Sequence, residues 1–343
     1  MASPTKRERV LAALRGEEVD HVPVSAWGHD YLREWTAEGL AEATLEAYRR
    51  YDWDFIKVNP RASYYAEDWG CRYQPSGRAD APPKLLAATV NTSSDLRGLR
   101  PLDPSHGAYG EQVAALRLIR DGLSSAPGGS ASGGGEAPFI QTVFSPLAVA
   151  SRLAGSHEPI RQYMEQAPQD LEAGLGIIAE TLAAYARACL EAGADGIFFA
   201  AVEWGSRDHI SVEQYNRFGR PFDLRVLQAV RGASFNLLHV CRNHNMLTDL
   251  LDYPVHAFHW ATNGVDNPSL VDILGRTEKA VMGGVSHDST ILSGRPENVA
   301  AEARAAIEAT GGRRFLLAPG CSIAPTTPEA NLRAMIAAAR GSP

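Results

Sequence analysis

Phe235-Asn-Leu-Leu-His-Val-Cys241 is the stretch on which the fold turns. It is short, nearly continuous in apolar residues and followed by the polar run Arg242-Asn-His-Asn245, the pattern of a strand covered on both faces. Such strands belong to parallel sheets, whose crossover connections are helices. Upstream, Val212–Val230 and Gln169–Ala192 read as helices, and strand-like and helix-like runs alternate along the chain. The candidate strands are Val22–Trp27, Asp54–Asn59, Phe139–Phe144, Gly196–Ala201, Phe235–Cys241, Ala257–Trp260, Ala280–Val285 and Arg314–Ala318. This alternation predicts an α/β fold closed into a (β/α)8 TIM barrel. An open doubly wound sheet is the alternative, but no Gly-rich nucleotide turn follows the first strand.

Towards the C-terminus, Glu297–Ala309 reads as a helix entered at Pro296 and stopped by Gly311-Gly312. Thr326-Thr-Pro-Glu329 predicts a capping box, after which Leu332, Met335, Ile336 and Ala339 recur at helical spacing. Residues 124–136, rich in Gly and Ser, are expected to be an exposed linker loop within one domain spanning 1–343.

Composition narrows the function. With 343 residues, 45% hydrophobic and 21% charged, the chain can bury a large core. A net charge of -7 without a basic run points away from nucleic acid. The N-terminal residues hold no secretory apolar segment, and no apolar run approaches the roughly 18 residues of a membrane span, so a cytoplasmic protein with no membrane partner is expected. Four cysteines in so long a chain do not make a disulfide framework, which leaves thiols free to bind metal.

In a barrel, chemistry sits at the C-terminal ends of the strands. Those positions carry His29 and Asp30, Glu203 and Trp204, His239 and Cys241, His259 and Trp260, His287 and Asp288, and Cys321. Residues i and i+2 of a strand share a face, so the His239 imidazole and the Cys241 thiol project together. Cys321 can reach the same mouth once the barrel closes. One imidazole and two thiols form a set that zinc favours, with a fourth position open. Cysteine is also among the most buried residue types, so the same residues could simply be core, as Cys189 and Cys71 are expected to be.

Lys6–Val24, Phe144-Ser-Pro-Leu147, Gly193-Ala-Asp195, His239-Val-Cys-Arg-Asn243, Met282-Gly-Gly284 and, most specifically, Ala318-Pro-Gly-Cys-Ser-Ile-Ala-Pro-Thr-Thr-Pro-Glu-Ala-Asn-Leu332 form a set of sequence blocks. In these blocks the chain resembles the uroporphyrinogen decarboxylase superfamily. The resemblance covers nearly the whole chain outside the Gly/Ser segment and implies a (β/α)8 barrel. One branch of the superfamily decarboxylates porphyrinogens without metal, using an Arg-rich N-terminal segment. Here Ala26-Trp-Gly-His-Asp-Tyr31 follows the first strand, with no such arginines. The other branch comprises zinc-dependent methyltransferases such as the methylcobamide:coenzyme M enzymes, whose His-X-Cys and distant Pro-Gly-Cys are matched by His239, Cys241 and Cys321. Arg242 stands where glycine is common, and Phe258-His-Trp260 is an unusual ending for its strand.

The resemblance to this branch implies zinc on His239, Cys241 and Cys321, a small-molecule thiol as substrate, and a methyl group from a corrinoid on a partner protein. Glu203 and His259 are candidate catalytic residues, as a base, a further ligand or an orienter of His239. His29, Trp204, His287 and Asp288 are candidate substrate contacts. Two alternatives stand beside this reading. One is metal-free decarboxylation, which would need Arg61, Arg72 or Arg207 at the mouth. The other is a non-catalytic barrel that binds a corrinoid or a metal.

Overall fold

The computed structural model describes residues 3–124 and 137–341. The expected Gly/Ser linker lies outside the described residues except for Ser124, which ends the helix Gly107–Ser124. In chain order the strands are β1 (Ile56–Val58), β2 (Arg72–Gln74), β3 (Lys84–Ala87), β4 (Phe139–Phe144), β5 (Gly196–Val202), β6 (Leu237–Val240), β7 (Ala257–Trp260), β8 (Ala280–Val285) and β9 (Phe315–Pro319). β2 and β3 form a small antiparallel hairpin. The other seven make one curled sheet in the order β1-β4-β5-β6-β7-β8-β9, every neighbouring pair parallel.

The expected first strand, Val22–Trp27, is not a regular strand. Only Val24 in that span forms a bridge, to Leu317, because Pro23 has no N–H to give to a ladder. The segment nevertheless occupies the gap between β9 and β1. Leu317 N–H donates to the Pro23 carbonyl, Ser25 N–H to Leu317, and Asp54 N–H to Val24. An irregular stave thus closes the barrel. Asp54 secures it a second time, its buried carboxylate accepting from Val24 N–H at 3.0 Å and from Arg9 at 2.9 Å.

Two helix expectations need correction. Val212–Val230 is two helices, Val212–Phe218 and Arg220–Ala229, parted at Gly219 just before Pro221, which has no N–H to carry a helix through. The final helix, Glu329–Ala339, has no side-chain cap. Pro328 is its N-cap residue and the Thr327 hydroxyl is buried without a partner, so the expected capping box does not form. The helix Pro168–Glu191 is, by length and composition, the one described helix able to cross a membrane. Here Leu171, Leu175, Ile178, Leu182 and Cys189 are buried on one face, and it packs against β4 and β5.

The barrel interior explains where polar chemistry can exist. Inward positions follow the strand period of two. On β6 and its approach, Phe235 and Leu237 are followed by His239; on β7, Ala257 is followed by His259. Phe55, Ile140, Phe198 and Leu316 complete an apolar plug below these imidazoles. The same face of the strands changes from hydrocarbon to nitrogen and sulfur at the C-terminal mouth, over a floor that excludes water.

Candidate metal centre

His239, Cys241 and Cys321 bring one ligand atom each to within 4.8 Å of one another, and they form the one such His/Cys/Asp/Glu group among the described residues. Cys241 Sγ lies 3.8 Å from Cys321 Sγ, and Cys321 Sγ lies 3.8 Å from His239 Nε2. Tetrahedral zinc, with bonds of about 2.3 Å to sulfur and 2.0–2.1 Å to nitrogen, sets two sulfurs about 3.8 Å apart and sulfur and nitrogen about 3.6 Å apart. Two of the three donor separations therefore come close to tetrahedral edges, and the third lies within 4.8 Å. No other His, Cys, Asp or Glu of the described residues joins the group.

Gly320 makes this convergence possible. A Cβ at that position would lie 2.7 Å from the Ala261 Cα, a backbone atom that cannot turn aside. Glycine lets the end of β9 close on the end of β7, held by Gly320 N–H donating to the Val285 carbonyl, so Cys321 arrives beside the β6 ligands.

Behind the ligands runs a directional relay. His259 is fully buried, and its Nε2 is 2.9 Å from the Pro319 carbonyl, which can only accept. Its Nε2 must therefore carry the proton. Its Nδ1 is then bare and accepts from His239 Nδ1–H at 2.8 Å, and this presents the lone pair of His239 Nε2 to Cys321 and the metal position. Burial, aided by the neighbouring His239, holds His259 well below the usual imidazole pKa, so it stays neutral. The Cys241 and Cys321 thiols lie in hydrogen-bond contact at 3.8 Å, a contact that lowers the pKa of Cys321 and, with burial, raises that of Cys241.

Backbone strain marks the same rim. Val202, β-branched, sits at φ 47° and ψ -138°, while Arg242 and His244 sit at φ 73° and 48°. Such conformations cost about 1–3 kcal/mol each and persist where surrounding structure over-determines them. Arg242 occupies a left-handed site that glycine fills without cost, the physical reason glycine is usual there.

The remaining candidates scatter around the mouth. Glu203 does not join the ligand group; its carboxylate lies 3.7 Å from Arg242 and 3.9 Å from His157. His259 is not a fourth ligand, since both its nitrogens are engaged. Trp204 faces the core, fully buried with its indole N–H donating to Ser151 at 2.7 Å, which leaves it no surface for substrate. His29 is paired with buried Glu34 at 2.8 Å and stacks on Tyr31, beside a cavity of about 310 Å³. His287 and Asp288 line a cavity of about 340 Å³ together with Cys241, and Asp288 also accepts from the Ser286 hydroxyl at 2.9 Å.

Comparison with known proteins agrees with this geometry. The uroporphyrinogen decarboxylase (URO-D) family model matches residues 5–342. The chain belongs to the URO-D family. Its relatives include the methylcobamide:CoM methyltransferase MtaA of Methanosarcina barkeri, 28% identical over 98% of both chains. A uroporphyrinogen decarboxylase of Syntrophotalea carbinolica is 27% identical over 73% of this chain and 70% of its own. Among solved structures, a methyltransferase from Methanosarcina mazei superposes with a TM-score of 0.82 at 27% identity, over 99% of both chains. The chain is an enzyme of this methyltransferase kind within the URO-D superfamily.

Within the URO-D frame, the arginines that a porphyrinogen would need are spent elsewhere. Arg61 is buried and neutralised by Glu67 at 2.8 Å and by Glu111, while Arg207 is paired with Asp249 at 2.5 Å. Arg72 stands on the exposed edge of the β2–β3 hairpin. Two rim residues escaped the sequence reading. His157 packs edge-on against Trp204, and Arg152 lines the Glu203 cavity. Both follow the Phe144–Leu147 block, the one signal that could have drawn attention to them.

Proposed function

We propose that this URO-D family member moves a methyl group from a corrinoid, presented by a partner protein at the barrel mouth, to a small thiol at a zinc held by His239, Cys241 and Cys321. The observation that carries the reading is the convergence of one imidazole and two thiols within 4.8 Å, two of their separations being 3.8 Å. Zinc, when bound, lowers the pKa of a thiol and keeps it as a nucleophile at neutral pH. The protein's own contribution is orientation. His259 and the Pro319 carbonyl fix the His239 tautomer, Gly320 seats Cys321, and the apolar plug keeps water from beneath the reacting groups. Glu203, flanked by two cationic or basic groups, is placed to steer charge at the rim rather than to bind metal. The names of the methylcobamide:CoM relatives support both the corrinoid donor and a thiol acceptor. A cytoplasmic location belongs to the same reading, since such thiols must stay reduced.

The test is elemental analysis of purified protein alongside Cys241→Ser and Cys321→Ser, with demethylation of methylcobalamin by added thiols followed by absorbance. Near-stoichiometric zinc and thiol-dependent demethylation, both lost in each variant, are expected. A metal-free Cys321→Ser protein that retains turnover overturns the reading and favours metal-free chemistry.

A further inference from the structure

We infer that the cavity of about 310 Å³ beside His29 binds a carboxamide on the rim of the corrin that carries the methyl group; this rests on the methyl-transfer reading above. Trp27, His29, Glu34, Lys57, Asn59 and Ile323 line it, where the irregular stave meets the end of β1 and the chain just beyond Cys321. Its walls are fixed. Ile323 N–H donates to the Trp27 carbonyl at 2.9 Å, and Gly28 bridges to Ile323 so closely that a Cβ on Gly28 would lie 2.9 Å from the Ile323 carbonyl oxygen. Arg61 Nη1 donates to the Glu34 carbonyl at 3.2 Å.

Two buried polar atoms in this wall have no partner among the described residues. Glu34 is 1% exposed; its Oε2 accepts from His29 Nδ1–H at 2.8 Å, and its Oε1 is left without a hydrogen bond. Asn59 is 9% exposed. Lys57 Nζ, which can only donate, is bonded to Asn59 Oδ1, so the Asn59 Nδ2 group is left over. Buried groups of this kind are nearly always paired, so each points to a ligand atom. The cavity thus offers one acceptor and one donor, and the ligand must supply the reverse. A primary carboxamide does so in one group, its N–H given to Glu34 and its carbonyl accepting from Asn59. A carboxylate would face Glu34 with nothing to donate, and an ammonium would face Asn59 and Lys57 with nothing to accept. Charge agrees. Asp30, Glu34 and Glu46 in the lining are matched by Arg33, Arg50 and Lys57, so the cavity favours neither an anion nor a cation.

Position favours the methyl donor as the source. None of His239, Cys241 and Cys321 lines this cavity, whereas Cys241 lines the separate one of about 340 Å³. Aromatic rings stand between. Trp27 lies edge-on to His259 at 5.2 Å, and the Phe198 ring lies 5.0 Å from that of His239 with Lys57 Nζ 4.7 Å from its centre. A small thiol at the metal has the Cys241 cavity beside it. The His29 cavity, one ring layer away, suits an arm of a larger ligand spread over the mouth. A corrin is such a ligand, and its rim carries primary acetamide and propionamide arms.

The experiment uses the full chain, Glu34→Gln and Asn59→Asp, both near-isosteric, with thermal unfolding as a check on folding. In the first arm, KM is measured for methylcobalamin and for its separated monocarboxylates, each with one propionamide hydrolysed to the acid, 2-mercaptoethanol being the acceptor. In the second arm, equilibrium dialysis of cyanocobalamin and its monocarboxylates, read by absorbance, requires neither metal nor turnover. Loss of a charged hydrogen bond predicts that one monocarboxylate binds about tenfold to a hundredfold more weakly than the parent amide, in KM and in Kd alike. Glu34→Gln should weaken the parent and narrow that gap, and Asn59→Asp should weaken the parent by a similar factor. Amide preference in dialysis without demethylation of methylcobalamin would sink the methyl-transfer reading and leave the carboxamide site standing. Demethylation in which every monocarboxylate matches the parent overturns the inference and leaves that reading intact. So does a defect of both variants confined to the KM for the thiol, which would assign the cavity to the acceptor. A wild-type protein that binds no cobalamin in either arm overturns the inference as well.

Discussion

Replacing His259 with Phe isolates the relay behind the metal centre. Phenylalanine approximates the volume of the imidazole and keeps the edge contact with Trp27, whose ring lies 5.2 Å from that of His259. What it removes is one acceptor, the Nδ1 that receives the His239 proton at 2.8 Å, and one donor, the Nε2–H given to Pro319 at 2.9 Å. His239 is 3% exposed, so its Nδ1–H is left buried without a partner, and the ring is free to rotate or change tautomer. An orphaned buried donor costs about 1–3 kcal/mol. Loss of a ligand's outer hydrogen bond lowers metal affinity about tenfold to a hundredfold, and the two ranges agree at roughly 1.4–2.8 kcal/mol. The assay is competition for zinc against a chromophoric chelator at pH 7, with thermal unfolding of the metal-free proteins as a check on folding. His259→Phe should bind zinc ten to a hundred times more weakly, and His259→Gln, which keeps an acceptor, should lose less. A His259→Phe protein that is folded and binds zinc within twofold of wild type refutes the relay.

Two further outcomes follow from the geometry. Gly320→Ala places a Cβ 2.7 Å from the Ala261 Cα, so the end of β9 must move and carry Cys321 with it; a stability loss of about 1–3 kcal/mol in denaturant titration, together with weaker zinc binding, is expected, and wild-type values for both would show that the approach is not required. Asp223 is fully buried, and burial lifts its carboxyl to about 7 although the Tyr215 and Tyr253 hydroxyls donate to it at 2.6 and 3.0 Å. Its folded pKa lies above its unfolded one, so its contribution is complete below about pH 4 and is lost as pH rises through 7. Asp223→Asn, unable to ionise, should flatten the decline of Tm between about pH 4 and 7; an unchanged slope would place that decline elsewhere.

The sequence by itself determined the parts that depend on local chemistry. Phe139–Phe144, Ala257–Trp260 and Ala280–Val285 are legible because a strand buried on both faces is mostly apolar, Gln141, Thr142 and His259 being the exceptions. His239-Val-Cys241 is legible as a pair because a strand sets its side chains at a period of two. What local chemistry misjudged lies where neighbours override propensity. Val22–Trp27 has a strand's composition, but Pro23 limits it to a single bridge in that span, and the barrel closes through backbone groups offered by Asp54, just before β1, and by Leu317 of β9. Only the tertiary structure brought Cys321 to its partners 80 and 82 residues away, because that meeting depends on closure and on the missing Cβ of Gly320. It also withdrew Trp204 into the core, paired His259 with His239, and set Arg152 on the wall of the Glu203 cavity. Which groups a charge or a lone pair meets is set by distances of a few ångströms between residues far apart in the chain, and no local pattern encodes them.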